Sequence, residues 1–212
     1  MAESLRHDIL EGRLKPGDWL RQERLAHEHG VSQMPVREAL KLLASEGLVE
    51  HVPYRGARVV HFTLDDVEDL YDCRAFVEGL AARSAAAHIS DPQVAELERL
   101  HERMAQLVAP DGLTEYRELN RRFHELIFTA SRRSYLVRTL AQLWAAFPSM
   151  LWSNFAQTVR TTPPGRDESD TEEHAAIVAA LRARDGAAAE QAMRHHIGQS
   201  AGYLLAALRG NT

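Results

Sequence analysis

The sequence predicts a mainly α fold: an N-terminal winged helix-turn-helix followed by a C-terminal all-α bundle of about six helices. Three observations carry this. Residues 30–47 read GVSQMPVREALKLLASEG, a turn, a helix and a stop. Residues 48–60 read LVEHVPYRGARVV, two short apolar runs around a Pro/Gly turn. From Asp65 onward the helical period dominates and no strand pattern occurs.

The N-terminus MAESLRHDIL reads as the start of an amphipathic helix and lacks the form of a secretion signal. A short helix is expected near Gln22–His29, with Leu25 and Ala26 facing in. Gly30 suits a turn with positive φ. Ser32 is placed to cap the next helix, and Pro35 fits its first turn, where no backbone N–H is needed. Val36, Ala39, Leu40 and Leu43 recur at helical spacing and face inward, which leaves Gln33, Met34, Arg37, Glu38 and Lys41 outside. Gly47 ends the helix. Leu48–Val52 and Ala57–Val60 then read as strands joined by Pro53-Tyr54-Arg55-Gly56, a hairpin wing. The second helix of such a unit can enter the DNA major groove. Arg55 and Gly56 at the wing tip can approach a phosphate or the minor groove.

Thr63–Asp66 reads as a linker into a helix cap, so two domains are expected, 1–62 and 63–212. In the second, helices are expected near 65–88, 92–108, 113–130, 135–157, 168–183 and 187–209, separated by Pro, Gly and polar breaks. The stretch TTPPGRDESD at 161–170 reads as a solvated loop. Trp144, Phe147, Trp152 and Phe155 read as an aromatic core helix, and Cys73 as a small packed hydrophobe.

Several polar residues fall where apolar ones are expected. At about 100° per residue, His174 lies near the centre of the face set by Ile177, Val178 and Leu181. His196 flanks the face of Met193, Ile197, Leu204 and Leu208, whereas His195 points nearly opposite. Asn120 and His124, at i and i+4, flank the face of Tyr116, Leu119, Phe123, Leu126 and Ile127. Three histidines and one amide from three helices can therefore converge, and imidazole suits zinc, nickel and similar ions. The competing reading is a set of hydrogen-bonded core histidines. No carboxylate is expected beside the cluster, because Glu173 lies about 100° from His174 and points off the face. Arg74 and Glu78 share the apolar face of their own helix. They are expected either as an i,i+4 ion pair or as a pocket lining in which Arg74 binds a carboxylate bidentately.

The chain has 212 residues and a net charge of −5. Residues 1–62 carry nine Lys/Arg and nine Asp/Glu, and residues 63–212 carry sixteen and twenty-one, so the excess acid belongs to the bundle. A neutral N-terminal domain can still bind phosphates through cations gathered on helix and wing, weakly as a monomer, which argues for a homodimer. The lone Cys73 fits a reducing compartment. No apolar run reaches membrane-spanning length, so no membrane partner is expected and the cytoplasm is the expected location.

Residues 5–60, with LRHDILEGRLKPGDWL and then LAHEHGVSQMPVREALKLLASEGLVEHVPYRGARVV, resemble the winged-helix domain of the GntR family of bacterial transcription regulators. That resemblance implies Arg after the Ser of GVS, contacting bases; here Gln33 stands there, and Gln pairs best with adenine. Residues 64–209 resemble the FCD ligand-binding domain of the FadR-like branch, through DLYDCRAFVEGLAARSAA, NRRFHELI, EEHAAIVAALRARD and AEQAMRHHI. The helix count resembles its shorter, VanR-like version. This implies a metal held by an Asp and three His, which map to Asn120, His124, His174 and His196. Asn120 leaves the site one charge more positive and weakens it. The resemblance also implies a pocket-lining Arg74 oriented by Glu78.

The expected function is a ligand-responsive transcription regulator, not an enzyme. Ser32, Gln33, Met34, Arg37, Lys41, Arg55 and Gly56 would contact a double-stranded DNA operator. A small carboxylate effector would bind at or beside a zinc, nickel or manganese ion. A metal-dependent hydrolytic enzyme and a constitutive DNA binder with a structural bundle are the alternatives.

Overall fold

The computed structural model describes residues 1–10, 13–61, 63–107, 112–146 and 166–209. The chain divides into two compact units, one holding Met1–Thr63 and the other holding Leu64–Gln142.

The first unit contains α1 (Ala2–Leu10), β1 (Trp19–Leu20), α2 (Gln22–Glu28), α3 (Gln33–Ser45), β2 (Val49–Val52) and β3 (Gly56–Val59). The antiparallel sheet has the order β1-β3-β2. Val49 pairs with Val59 and Glu50 with Arg58, while Trp19 pairs with Arg58 on the other edge. The period of two turns Val49, Ala57 and Val59 inward, where they are buried with Leu5, Ile9, Leu25, Val36, Leu40 and Leu43. Strand β1 has no sequence signal, because two residues are too few to alternate; Gly17, at φ +86°, sets it against β3 through Gly17 N–H to Val59 O at 3.0 Å.

The helix-turn-helix follows the expected plan. Gly30 and Gly47 take φ of +63° and +72° at the two ends of α3. Ser32 is the N-cap residue, in extended conformation, but its side chain makes no capping hydrogen bond. Its hydroxyl is exposed, so the first-turn N–H groups keep their capacity for an outside acceptor. Arg6 clamps the end of α3, donating to Glu46 through Nε at 2.9 Å and Nη2 at 2.6 Å.

The second unit contains α4 (Leu64–Ala86), α5 (Asp91–Ala105), α6 (Leu113–Ala130), α7 (Ser134–Ala146) as far as Gln142, α8 (Arg166–Arg182) and α9 (Gly186–Arg209). Helices α4 and α9 pack most extensively. The close approach is made at Gly79, where a Cβ would stand 2.8 Å from Arg194 Cγ. Ser90 opens α5 with a capping box: its side chain accepts from Gln93 N–H while Gln93 accepts from Ser90 N–H at 2.9 Å.

Two expectations are corrected. The loop expected at 161–170 does not reach Asp170, since α8 begins at Arg166, two residues before the helix expected near 168–183. Cys73 is exposed, because the inner stripe of α4 runs through Val67, Tyr71, Arg74 and Glu78 and leaves position 73 outside. Strand β1 was unforeseen. Phe147, Trp152, Phe155 and residues 161–165 lie outside the described residues; Trp144 is half-buried. Among the described residues, no helix is long and apolar enough to cross a membrane.

Candidate functional site: recognition face and histidine cluster

Helix α3 turns its apolar stripe into the core and leaves Gln33, Met34, Arg37, Glu38 and Lys41 exposed. Lys41 Nζ lies 2.8 Å from Glu38 Oε1, so part of its charge is answered on its own helix. Ser32 precedes this face, also exposed. In the wing, Tyr54 (φ +62°) and Gly56 (φ +103°) both take left-handed backbone and bracket an exposed Arg55. The turn is closed by Arg55 N–H to Val52 O at 3.0 Å.

The bundle interior holds a polar cluster. His124 on α6, His174 on α8 and His196 on α9 are buried, and one ligating atom from each lies within 4.8 Å of the others. The His174 and His196 ring centroids are 4.4 Å apart, and those of His124 and His196 are 5.2 Å apart. Asn120, one turn before His124, brings its Oδ1 to 3.0 Å from His174 Nε2. All four expected residues are thus together.

Carboxylates brace this cluster, contrary to expectation. Glu78 on α4 is 2.7 Å from His124 Nδ1, and Glu173 on α8 is 2.9 Å from His196 Nδ1. Asp170, one turn before His174, lies 3.5 Å from His174 Nδ1 and 3.7 Å from His196 Nδ1, and accepts from the Tyr116 hydroxyl. Burial, reinforced by Glu173, raises the Asp170 carboxyl to about 7. Burial also works to raise Glu78, but Arg74 and His124 outweigh it and bring it down to about 2. Arg74 is buried, donates through Nε to Glu78 at 2.9 Å, and stacks its guanidinium over Tyr71 at 5.1 Å. A surface groove of about 370 Å³, lined in part by Gln93, Glu118 and Arg122, contains none of these residues.

The family model for bacterial regulatory proteins of the gntR family matches residues 1–59, and the model for the FCD domain matches residues 69–199. This chain belongs to the GntR family. The HTH-type transcriptional repressor RspR of Escherichia coli strain K12 is 30% identical over 193 residues, 91% of this chain and 82% of that protein. The HTH-type transcriptional repressor GlaR of the same strain is 29% identical over 213 residues, 98% of this chain and 95% of that protein. The solved structure of E. coli McbR/YncC matches with a TM-score of 0.69 at 25% identity, covering 96% of this chain and 94% of that one.

The GntR-family protein is therefore a DNA-binding transcription regulator with an FCD domain. The hydrolase reading fails because the family and its relatives are regulators, not because the histidines lack a nearby carboxylate. The chemistry of the donor set fits a divalent cation. A histidine that donates Nδ1–H to a carboxylate carries its lone pair on Nε2, and carboxylate–histidine pairs of this kind orient imidazoles toward metals. Glu78 and Glu173 place His124 and His196 in that relation.

Glu173 and Asp170 were missed, and the signal for them existed. The buried stripe of α8 runs Asp170, Glu173, His174, Ile177, Val178 and Leu181, an i, i+3, i+4 repeat. Its first half is polar, so a search for apolar periodicity passes over it.

Proposed function

We propose that this regulator is a repressor, acting as a homodimer on a palindromic double-stranded operator, and that a small organic acid bound in the FCD domain controls it. Gln33, Met34 and Arg37 face base edges in the major groove. Ser32, Lys41, Arg55 and Gly56 hold phosphates or the minor groove. Asn120, His124, His174 and His196 hold one divalent ion of the zinc, nickel or manganese type, and that ion supplies a Lewis-acidic anchor for a carboxylate. Arg74, kept in place by Glu78, supplies the balancing positive charge for the acid. The protein works in the cytoplasm.

The carrying observation is the meeting of three buried histidines from three helices, two of them held through Nδ1 by carboxylates. A core built only for stability gains little from this, because a buried, paired polar network is commonly no more stabilising than apolar side chains of the same volume. The neutral amide of Asn120 makes a weaker site than a carboxylate would, so moderate affinity is expected.

The test is elemental analysis of the purified full-length protein by inductively coupled plasma mass spectrometry, before and after a chelator, with a melting curve on each sample. Near-stoichiometric zinc, nickel or manganese, lost together with thermal stability, supports the site. Metal-free protein whose melting ignores both chelator and added ions removes the metal from the proposal and leaves the histidines as direct effector contacts.

A further inference from the structure

We infer that Met34 reads the C5-methyl group of a thymine in the operator, beside an adenine taken by Gln33 and a guanine taken by Arg37. This rests on the DNA-reading role given to α3 above and specifies its chemistry. Met34 stands in the first turn of α3 with 74% of its surface exposed. Folding gives no reason for it: the core stripe of the helix is Val36, Ala39, Leu40 and Leu43, all buried. Around Met34 the exposed face is mainly polar, with Gln33, Arg37, Glu38 and Lys41, and the other exposed apolar residues, Val31, Pro35 and Leu42, are smaller or far less exposed.

The N-terminal residues of a recognition helix are those that meet base edges. Gln33 and Arg37 lie one turn apart on one side, about 6 Å along the axis. That distance corresponds to about two base-pair steps of the duplex, at roughly 3.4 Å each. Gln pairs bidentately with adenine N6 and N7, and Arg with guanine O6 and N7. Met34, offset about 100° from Gln33, offers neither donor nor strong acceptor. The one base feature in the major groove that matches it is the apolar thymine methyl. An unbranched, polarisable thioether adapts its rotamers to reach that methyl.

The experiment uses the full-length protein and a duplex selected by it from random DNA. Each thymine of the selected duplex is replaced in turn by deoxyuridine, which removes the methyl and keeps the pairing. Affinities of wild type and Met34→Ala are read by fluorescence anisotropy, with circular dichroism melting to show that the variant folds. One thymine per half-site is expected to cost the wild type about four-fold on replacement, the scale of one buried methyl. Met34→Ala binds the thymine duplex more weakly than wild type and loses nothing further with deoxyuridine at that position. Deoxyuridine harmless at every position, or equally costly to wild type and Met34→Ala, overturns the assignment and leaves operator binding intact. A selection that returns no preferred duplex overturns both the assignment and the regulator reading beneath it.

Discussion

Glu78 is shared between two partners, and its energetics follow from that. Arg74 and His124 approach its two oxygens at 2.9 and 2.7 Å in the buried interior. Removing Arg74 leaves the carboxylate buried with one partner, so Arg74→Ala is expected to cost about 3–5 kcal/mol of unfolding free energy. Urea denaturation measures this; a loss below about 1 kcal/mol would show the pair to be dispensable. The same carboxyl sets an acid limit. Its folded value of about 2 lies below the ordinary 4.5, so its stabilisation is complete above pH 4.5 and fades as the pH falls toward 2. The melting temperature should drop through that window in the wild type and less steeply in Glu78→Gln. On the other unit, Arg37→Ala should weaken specific operator binding by about 1–3 kcal/mol, with binding to unrelated duplex largely kept. Equal losses on both DNAs would reassign Arg37 to the phosphates.

Elements differ in how openly the chain declares them. Helix α3 and the wing were legible because each local signal agrees with the rest: Gly30 and Gly47 at the two turns, the apolar stripe between them, and Pro53 to Gly56 at the hairpin. Helix α8 was legible from about residue 168, with His174 on its inner face, but its polar start was not. Asp170 and Glu173 also face the interior, and the acidic residues after Pro163-Pro164-Gly165 read as a solvated loop up to Asp170. Asn120, His124, His174 and His196 were found because each lies on or beside an apolar face. Glu78 was placed on the inner face of its own helix but not beside His124, and Asp170 and Glu173 were passed over because the polar start of the α8 stripe escapes a search for apolar periodicity. Helix α5 offers a clean local test. Its capping box satisfies the N–H of Gln93 through the Ser90 hydroxyl. Ser90→Ala should therefore lower stability by about 1 kcal/mol, with no effect on metal content or DNA affinity. An unchanged melting temperature would mean water caps α5 equally well.

At the scale of the whole molecule, two binding functions on one chain must obey linkage. If loading the histidine cluster with zinc changes operator affinity by some factor, operator duplex must change zinc affinity by the same factor, typically about 5 to 150. Paired titrations, metal into protein with and without DNA and DNA into protein with and without metal, check the equality. A factor of one in both directions would separate the bundle's ion from control of the DNA. Charge is also divided unevenly, with residues 63–212 carrying all of the net −5. Salt dependence of operator binding should accordingly track the few cations of α3 and the wing, so Lys41→Ala should shallow the slope of log K against log salt by about one.

The bracing of His124 by Glu78 has a further consequence. Glu78 belongs to α4, and α4 is the element that follows the wing in the chain, with only residues 60–63 between β3 and its first turn. One of the three carboxylates around the cluster therefore lies on the helix that follows the wing in sequence, while Asp170 and Glu173 lie on α8. A change of charge among the histidines would alter the pull on that carboxylate, which Arg74, one turn earlier on α4, also holds. If the cluster responds to an ion or an acid, the helix that feels the response is the one the chain enters on leaving the wing.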